Sequence, residues 1–478
     1  MVRAGAELAA FHLDLQSHEV RPATTSEAQF VKAAPDENIL AHALLSAAHG
    51  DRLAWISKRD PDRYVSPTTL SATLQDGSVA KCETAECGQI VSLWWPPQSH
   101  DVIFLARTGW GRDQLTLYRW NPDANRLKKV LETGDLLISC EPSGSHFFCL
   151  REGSTRPRYL VDINLDDGSS HTLFDPNPEI ASRQLGQVTR LHWRNDRGIE
   201  CFGDLVLPPT HKRGEKHPLI IVQYQTRGFL RGGTGDEYPI FLFAAHGFAV
   251  LSVQRPPEIG GLMDTKNQIE FERANISDWA DRKSVISALL QGIKLAESRG
   301  VIDQNRIGIT GLSDGVSTVM HALIDTDIFK AVSISQCCDD AKVQSNYGDS
   351  QFSVFLEAAG YPSPGDERPG FWKQHSIAAN ASKISAPILI QVSDDEFRTS
   401  LETFSVLRRL NKPIDMYVFP DEHHIKWQPV HRLAVYQRNL NWFNFWLQNS
   451  SGQSLDGSAE LSRWAKMKRT MTDDARLP

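Results

Sequence analysis

The chain has 478 residues, a formal net charge of −7, 41% hydrophobic and 23% charged residues, which is ordinary globular usage. That length predicts two or three domains with a sizeable core, and the absence of basic runs excludes nucleic-acid binding as a main task. No apolar stretch reaches the ~18–20 residues of a membrane-spanning helix, and the start, Met1 to Ala10, lacks the long apolar run of a secretory signal. A cytoplasmic location is therefore expected, or a periplasmic one if the true N-terminus lies upstream.

Before residue 195 short β-rich runs alternate with turns. The clearest run in a first set, from Ala41 to Lys81, is Leu53 to Lys58. A second set comprises Ile90 to Trp95, Asp101 to Arg107, Gln114 to Trp120 and Arg126 to Leu131. Thr108-Gly-Trp-Gly111 and Asn121-Pro-Asp-Ala-Asn125 serve as its turns. A third set follows: Leu136 to Cys140, His146 to Arg151, Pro157 to Ile163 and Ser170 to Leu173. Four strands every ~40–45 residues is the spacing of a β-propeller blade, with a β-sandwich as the plain alternative. Roughly 190 residues give ~4 blades at that spacing. An incomplete propeller leaves open sheet edges, so the chain is read as N-terminally shortened, as starting upstream, or as having rearranged blades.

Seven cysteines stand at 82, 87, 140, 149, 201, 337 and 338. An odd number at irregular spacing does not suggest a disulfide framework. Cys82 and Cys87 are read as neither a zinc knuckle nor a bridge, and Cys337-Cys338 as small core residues.

After residue 195 strands and helices alternate, as a doubly wound sheet requires. Strands are expected at Leu219 to Tyr224, Ala249 to Gln254, Arg306 to Thr310, Ala331 to Ser335, Ile388 to Val392 and Asp415 to Phe419. Helices are expected at Tyr238 to Ala245, Trp279 to Arg299, Val316 to Ile324, Leu401 to Leu410 and His431 to Leu447. Gly228 to Gly235 fits no phosphate-loop pattern and reads as a rim loop. There Arg227, Arg231, Asp236 and Glu237 are either peptide contacts or solvated charges. The tail from Ser450 is polar, with a possible helix around Leu461 to Lys468.

Gly311-Leu-Ser-Asp-Gly315 sits between an apolar run, Arg306 to Thr310, and a helical stretch. Strand, Gly-x-Ser-x-Gly, helix is a nucleophile elbow of the α/β-hydrolase type. Its serine occupies a strained turn, so its neighbours must lack bulk. Such sites order their partners as Ser, acid, His along the chain. The acid is sought at Asp394-Asp-Glu396, at the carboxyl end of a buried strand. The base is sought at His423-His424, on a polar loop before the last long helix. The same Glu422-His-His424 cluster lacks a third ligand nearby, so no metal is expected.

Several further segments match one family in order over some 250 residues. They are Pro218 to Tyr224, the Asp303-Gln-Asn-Arg306 lead-in to the elbow, Pro387-Ile-Leu-Ile390, Asn411-Lys-Pro413, Phe419-Pro-Asp-Glu-His-His424, and Asn441-Trp-Phe443 with Trp446-Leu447. With them the chain resembles the prolyl oligopeptidase family of serine peptidases, and within it the lasso peptide isopeptidases. The narrower likeness rests on Arg227 to Pro239 and on the Ser-Asp-Gly of the elbow. The resemblance implies an α/β-hydrolase domain (195–449) preceded by a partial β-propeller domain (1–190), with a polar tail (450–478). It implies Ser313 as nucleophile and His424, rather than His423, as base. Glu396 is favoured as the acid over Asp395 and Asp394. Tyr224 and the Asp314 N–H become oxyanion donors. Departures are Val316 where many relatives have glycine, and Gln225-Thr226 where the family has a glycine pair after the tyrosine.

The expected activity is amide hydrolysis through an acyl-enzyme, on the isopeptide bond of a lasso peptide, without a cofactor. The alternatives are a dipeptidyl or acylaminoacyl peptidase, an ester hydrolase, and an inactive propeller binding protein.

Overall fold

The computed structural model describes residues 11–13, 20–22, 44–97, 99–336, 338–343, 350–366, 368–450 and 458–474. A short antiparallel hairpin, β1 (Phe11–Leu13) and β2 (Val20–Pro22), comes first. Three four-stranded antiparallel meanders follow, each pairing sequence neighbours as short turns dictate. They are β3 (Leu45–His49) to β6 (Val79–Cys82), β7 (Ile90–Trp94) to β10 (Arg126–Thr133), and β11 (Leu136–Ser143) to β14 (Ser170–Phe174). The first two sheets share a core through Ile56, Leu70, Phe104 and Trp120. The second and third share another through Leu105, Leu117, Phe147 and Ile163. Four-stranded sheets packed face to face in series are the propeller-like arrangement expected from the spacing.

The cysteines depart from expectation. Cys82 is bonded to Cys87, and Cys140 to Cys149, with Cα atoms 6.1 and 4.2 Å apart. The reason is local. Cys87 sits on a 3-10 turn that folds back on β6. Cys140 falls where the register of β11 against β12 (His146–Gly153) breaks, facing the strand that carries Cys149. Cys338 is also disulfide-bonded, whereas Cys337 lies outside the described residues. Cys201 is a free thiol whose pKa burial pushes up to about 11.

The rest of the chain builds an eight-stranded sheet. Its strands are β15 (Val188–Arg194), β16 (Glu200–Val206), β17 (His217–Tyr224), β18 (Ala249–Gln254), β19 (Ile302–Leu312), β20 (Phe329–Ser335), β21 (Ile388–Ser393) and β22 (Ile414–Phe419), in the order 15-16-18-17-19-20-21-22. β15 and β16 are antiparallel additions at one edge, and the six expected strands run parallel. Successive residues of β17 alternate faces. Leu219 and Ile221 join one core with Leu289 and Ile293 of α3 (Ala280–Ser298) and Val319 of α4 (Asp314–Asp325). Ile220 and Val222 join the other with Phe243 of α1 (Ile240–Ala245) and Phe443 of α7 (Pro429–Leu447). This two-sided burial is why the strands read as near-continuous apolar runs, each buried aliphatic contributing about 1.5–3 kcal/mol.

Among the described residues, two helices longer than four residues lie outside the sequence expectation, α2 (Gln268–Ile276) and α5 (Ser350–Ala359), beside single turns at Ile259–Leu262 and Pro369–Trp372. The next helix, α6 (Phe397–Arg409), begins four residues earlier than expected. The tail helix α8 (Ser458–Asp474) docks through Trp464, fully buried in the second core. The strand order reverses at β17, with β18 on one side and β19 on the other. The carboxyl end of β17 is therefore the switch point where ligand sites of such sheets gather.

Candidate active site

At that switch point β19 ends and α4 begins. Ser313, between them, has φ 57° and ψ −123°, a conformation that costs a non-glycine residue about 1–3 kcal/mol. Gly311 is required here, because a Cβ on it would lie 2.5 Å from the Gly315 carbonyl oxygen. A Cβ on Gly315 would sit 3.5 Å from Cδ1 of Tyr224, so the tyrosine at the end of β17 lies against the elbow. Asp314 opens α4, where free backbone N–H groups favour negative charge.

A network absent from the sequence reading ties down the Tyr224 carbonyl and the Asp314 carboxylate, in the two residues expected to supply oxyanion donors. The Arg255 N–H donates to the Tyr224 carbonyl at 2.9 Å. Its guanidinium Nε donates to the Asp314 carboxylate at 2.7 Å and a second nitrogen to Asp281. Arg282 holds the other Asp314 oxygen. Burial pushes the Asp314 pKa up, but the Arg282 and Arg255 guanidiniums overcome it and hold the carboxyl well below its usual range. Two distant segments thus converge on one carboxylate, a convergence that no local pattern signals.

The three acids after β21 separate by geometry. Glu396 Oε1 lies 2.8 Å from Nδ1 of His424. Asp395 accepts from the Ser393 hydroxyl at 2.5 Å. Asp394 accepts from the Asp421 N–H at 2.9 Å and the Glu422 N–H at 3.4 Å, bracing the histidine loop. No loop intervenes between Glu396 and α6, since Glu396 is itself the residue before that helix. The Glu396 hydrogen bond raises the His424 pKa above its ordinary 6.5, partly opposed by burial. His423 points elsewhere, its ring 6.1 Å from that of exposed Trp427. No group of three metal-ligating side chains forms around His424 among the described residues.

The histidine loop is anchored from below. Lys426, only 1% exposed, pairs with buried Glu237 at 3.3 Å. It also donates to the Gln391 carbonyl at 3.0 Å and to the Ser335 hydroxyl. Glu422 accepts the N–H groups of Trp427 and Gln428 at 2.9 and 3.1 Å and faces Nδ1 of His431 at 2.8 Å. Gly235 fits between Leu312 of the elbow and Ile425 of the histidine loop. It has φ +75°, and a Cβ there would meet Leu312 at 2.3 Å.

The rim charges divide. Glu237 is neither a peptide contact nor a solvated charge, because it is the buried partner of Lys426. Arg231 pairs at 2.9 Å with Glu152 of β12, which also accepts from Arg158 at 2.8 Å. The Leu230 N–H donates to the Ser154 carbonyl at 3.1 Å. This loop is therefore braced against the third meander. Asp236 lies 3.6 Å from Arg432. Arg227 is half-buried, and its pKa is lowered by burial and then by Arg190 and Arg112.

Residues 242–450 match the model of the prolyl oligopeptidase family. Over 456 residues the chain is 38% identical to the lasso peptide isopeptidase AtxE2 of Asticcacaulis excentricus, covering 95% of this chain and 65% of that one. It is 20% identical over 425 residues to Dipeptidyl-peptidase 5 of Porphyromonas gingivalis, covering 84% and 58%. The chain thus spans less than two thirds of the length of each of these relatives. Among solved structures it superposes on AtxE2 isopeptidase with Astexin3-dC4 bound, at TM-score 0.87 and 38% identity, covering 96% of this chain and 69% of that one. Acylaminoacyl peptidase of Pyrococcus horikoshii gives a TM-score of 0.61 at 20% identity, covering 87% and 64%, a likeness of fold alone.

Proposed function

The chain belongs to the prolyl oligopeptidase family, and from that premise we propose that it is a serine peptidase cleaving the isopeptide bond of a lasso peptide. The propeller-like part is read as residues 1–190, the catalytic domain as 195–449 and the tail as 450–478, with β15 (Val188–Arg194) and the tail helix α8 packing into the catalytic domain. The observation that carries the reading is the 2.8 Å contact between Glu396 and His424, which follow β21 and β22 in the same sheet whose β19 leads into the Ser313 elbow. In the proposed mechanism Glu396 fixes the His424 tautomer with the proton on Nδ1, leaving Nε2 to accept the Ser313 proton. Ser313 attacks the amide carbonyl, and the oxyanion is held by the Asp314 N–H and the Tyr224 hydroxyl. His424 then protonates the leaving amine, and water resolves the acyl-enzyme.

The isopeptide substrate is supported by the 38% identity to AtxE2 over most of this chain. It joins an N-terminal amine to an Asp or Glu side chain, and its hydrolysis needs no chemistry beyond that of a main-chain amide. Exposed Ile425 and Trp427 follow His424 on its loop and offer apolar contact to a compact ring. Cys82–Cys87 and Cys140–Cys149 favour an oxidising compartment such as the periplasm over the cytoplasm.

A fluorophosphonate probe tests the chemistry. It should label one residue, mapped to Ser313, and labelling should vanish in Ser313→Ala. Intact, folded chain that stays unlabelled would leave only a binding role. Tyr224→Phe should lower kcat by about 10²–10³-fold, the usual loss for one oxyanion donor, with KM little changed. A loss below about threefold would remove Tyr224 from that role.

A further inference from the structure

The segment between β16 and β17 brings together His211, Glu215 and His217, whose ligand atoms all lie within 4.8 Å of one another. Nδ1 of His211 is 2.8 Å from Nε2 of His217, and Nδ1 of His217 is 3.2 Å from the Gly247 carbonyl oxygen. These two contacts fix the protons. A carbonyl oxygen can only accept, so His217 carries its proton on Nδ1 and a lone pair on Nε2. That lone pair faces Nδ1 of His211, which must then be the donor. Moving the His211 proton from Nδ1 to the ring's other nitrogen leaves two imidazole lone pairs converging on one point, with a carboxylate beside them. The Lys212 N–H holds one oxygen of that carboxylate at 2.9 Å, leaving the other available.

We propose that His211, Glu215 and His217 bind a divalent transition-metal ion, with Zn²⁺ the best match to two imidazoles and one carboxylate. The Gly247 carbonyl supplies the support that ligating histidines ordinarily have, accepting from the ring nitrogen that does not bind the metal. The ion enters as neutral His211 shifts its ring proton from Nδ1 to Nε2 through solvent, so that it binds as a neutral imidazole, with no change of oxidation state. Two nitrogens bound at ~2.0–2.1 Å on a tetrahedral ion stand ~3.3 Å apart, so the rings must separate by roughly half an ångström. His211 is half-buried and Glu215 exposed on a surface loop, which permits that shift. A solvent molecule completes the fourth position. His217 opens β17 and Tyr224 closes it, and β19 runs parallel to β17, so the site lies at the opposite end of the strands from Ser313. Its role is to staple the loop to the start of β17 and to the turn before β18, not to take part in hydrolysis.

The test uses the full chain without an affinity tag, titrated with Zn²⁺ against a chromophoric chelator and separately with Co²⁺. The expected result is one Zn²⁺ per chain, a visible Co²⁺ spectrum of tetrahedral intensity, and a Zn²⁺-dependent rise in Tm. Affinity should fall at least tenfold in His211→Ala and in Glu215→Gln, both at accessible positions, and stay unchanged in His424→Ala. Absence of stoichiometric binding, or binding that survives both loop variants, would overturn the proposal. Loss in His424→Ala alone would overturn it too, by moving the ion to the catalytic histidine.

Discussion

Glu396→Gln is expected to lower kcat by about 10³–10⁴-fold while leaving the chain folded, because the amide turns the histidine to the wrong tautomer without changing the shape of the site. Asp395→Asn, which removes only a contact to Ser393, should stay within about tenfold of wild type. The pH profile carries a second signature. Glu396 raises the His424 pKa above 6.5, and only the neutral imidazole accepts a proton. Wild-type kcat/KM should therefore rise with pH through a value above 6.5, and the limb in Glu396→Gln should move to lower pH. The linked stability has the opposite direction. A raised folded-state pKa favours folding below the unfolded value and loses that contribution as pH climbs through the folded one. Steady-state rates across pH for the two variants check all of this. Equal losses in Asp395→Asn and Glu396→Gln would mean that the acid is not set by this geometry.

Lys426→Met is expected to destabilise the protein by about 3–5 kcal/mol, since it leaves the Glu237 carboxylate buried without a partner. The cost should not stop at stability. Lys426 follows His424 by two residues and ties that loop to β20 and β21 through Ser335 and Gln391, so kcat should fall as well. Pairing it with Glu237→Leu should recover most of the stability, because well-packed apolar replacements of buried ion pairs are often neutral. Chemical denaturation of the single and double variants separates the two effects. A loss under about 1 kcal/mol in the single variant would show that the pair is solvated.

What the sequence makes legible follows from locality. The elbow is a five-residue steric pattern, and β18 is a continuous apolar run read to its ends at Ala249 and Gln254. The acidic run Asp394 to Glu396 and the pair His423-His424 are legible because each follows a strand of the sheet, where site residues gather, whereas the preference for Glu396 and His424 within them comes from the family resemblance. β15 is not, because Arg190, His192 and Arg194 interrupt its apolar run at the sheet edge, and β16 is not, because Gly203 and Asp204 interrupt its own. α2 has almost no apolar face to read. The disulfides escape because a bridge depends on how a turn or a broken register places two Cα atoms. Arg255 with Asp314, and Glu237 with Lys426, join residues 59 and 189 positions apart, and only the folded sheet brings them together.

The most direct test of the account is incubation of this chain, beside Ser313→Ala, with a folded lasso peptide and with the same peptide already linear, followed by mass spectrometry for the addition of one water. The account predicts Ser313-dependent hydration of the lasso at its isopeptide bond, with the linear peptide untouched. Cleavage of the linear peptide alone, by a chain whose Ser313 takes the fluorophosphonate label, would contradict it and make the protein an ordinary oligopeptidase.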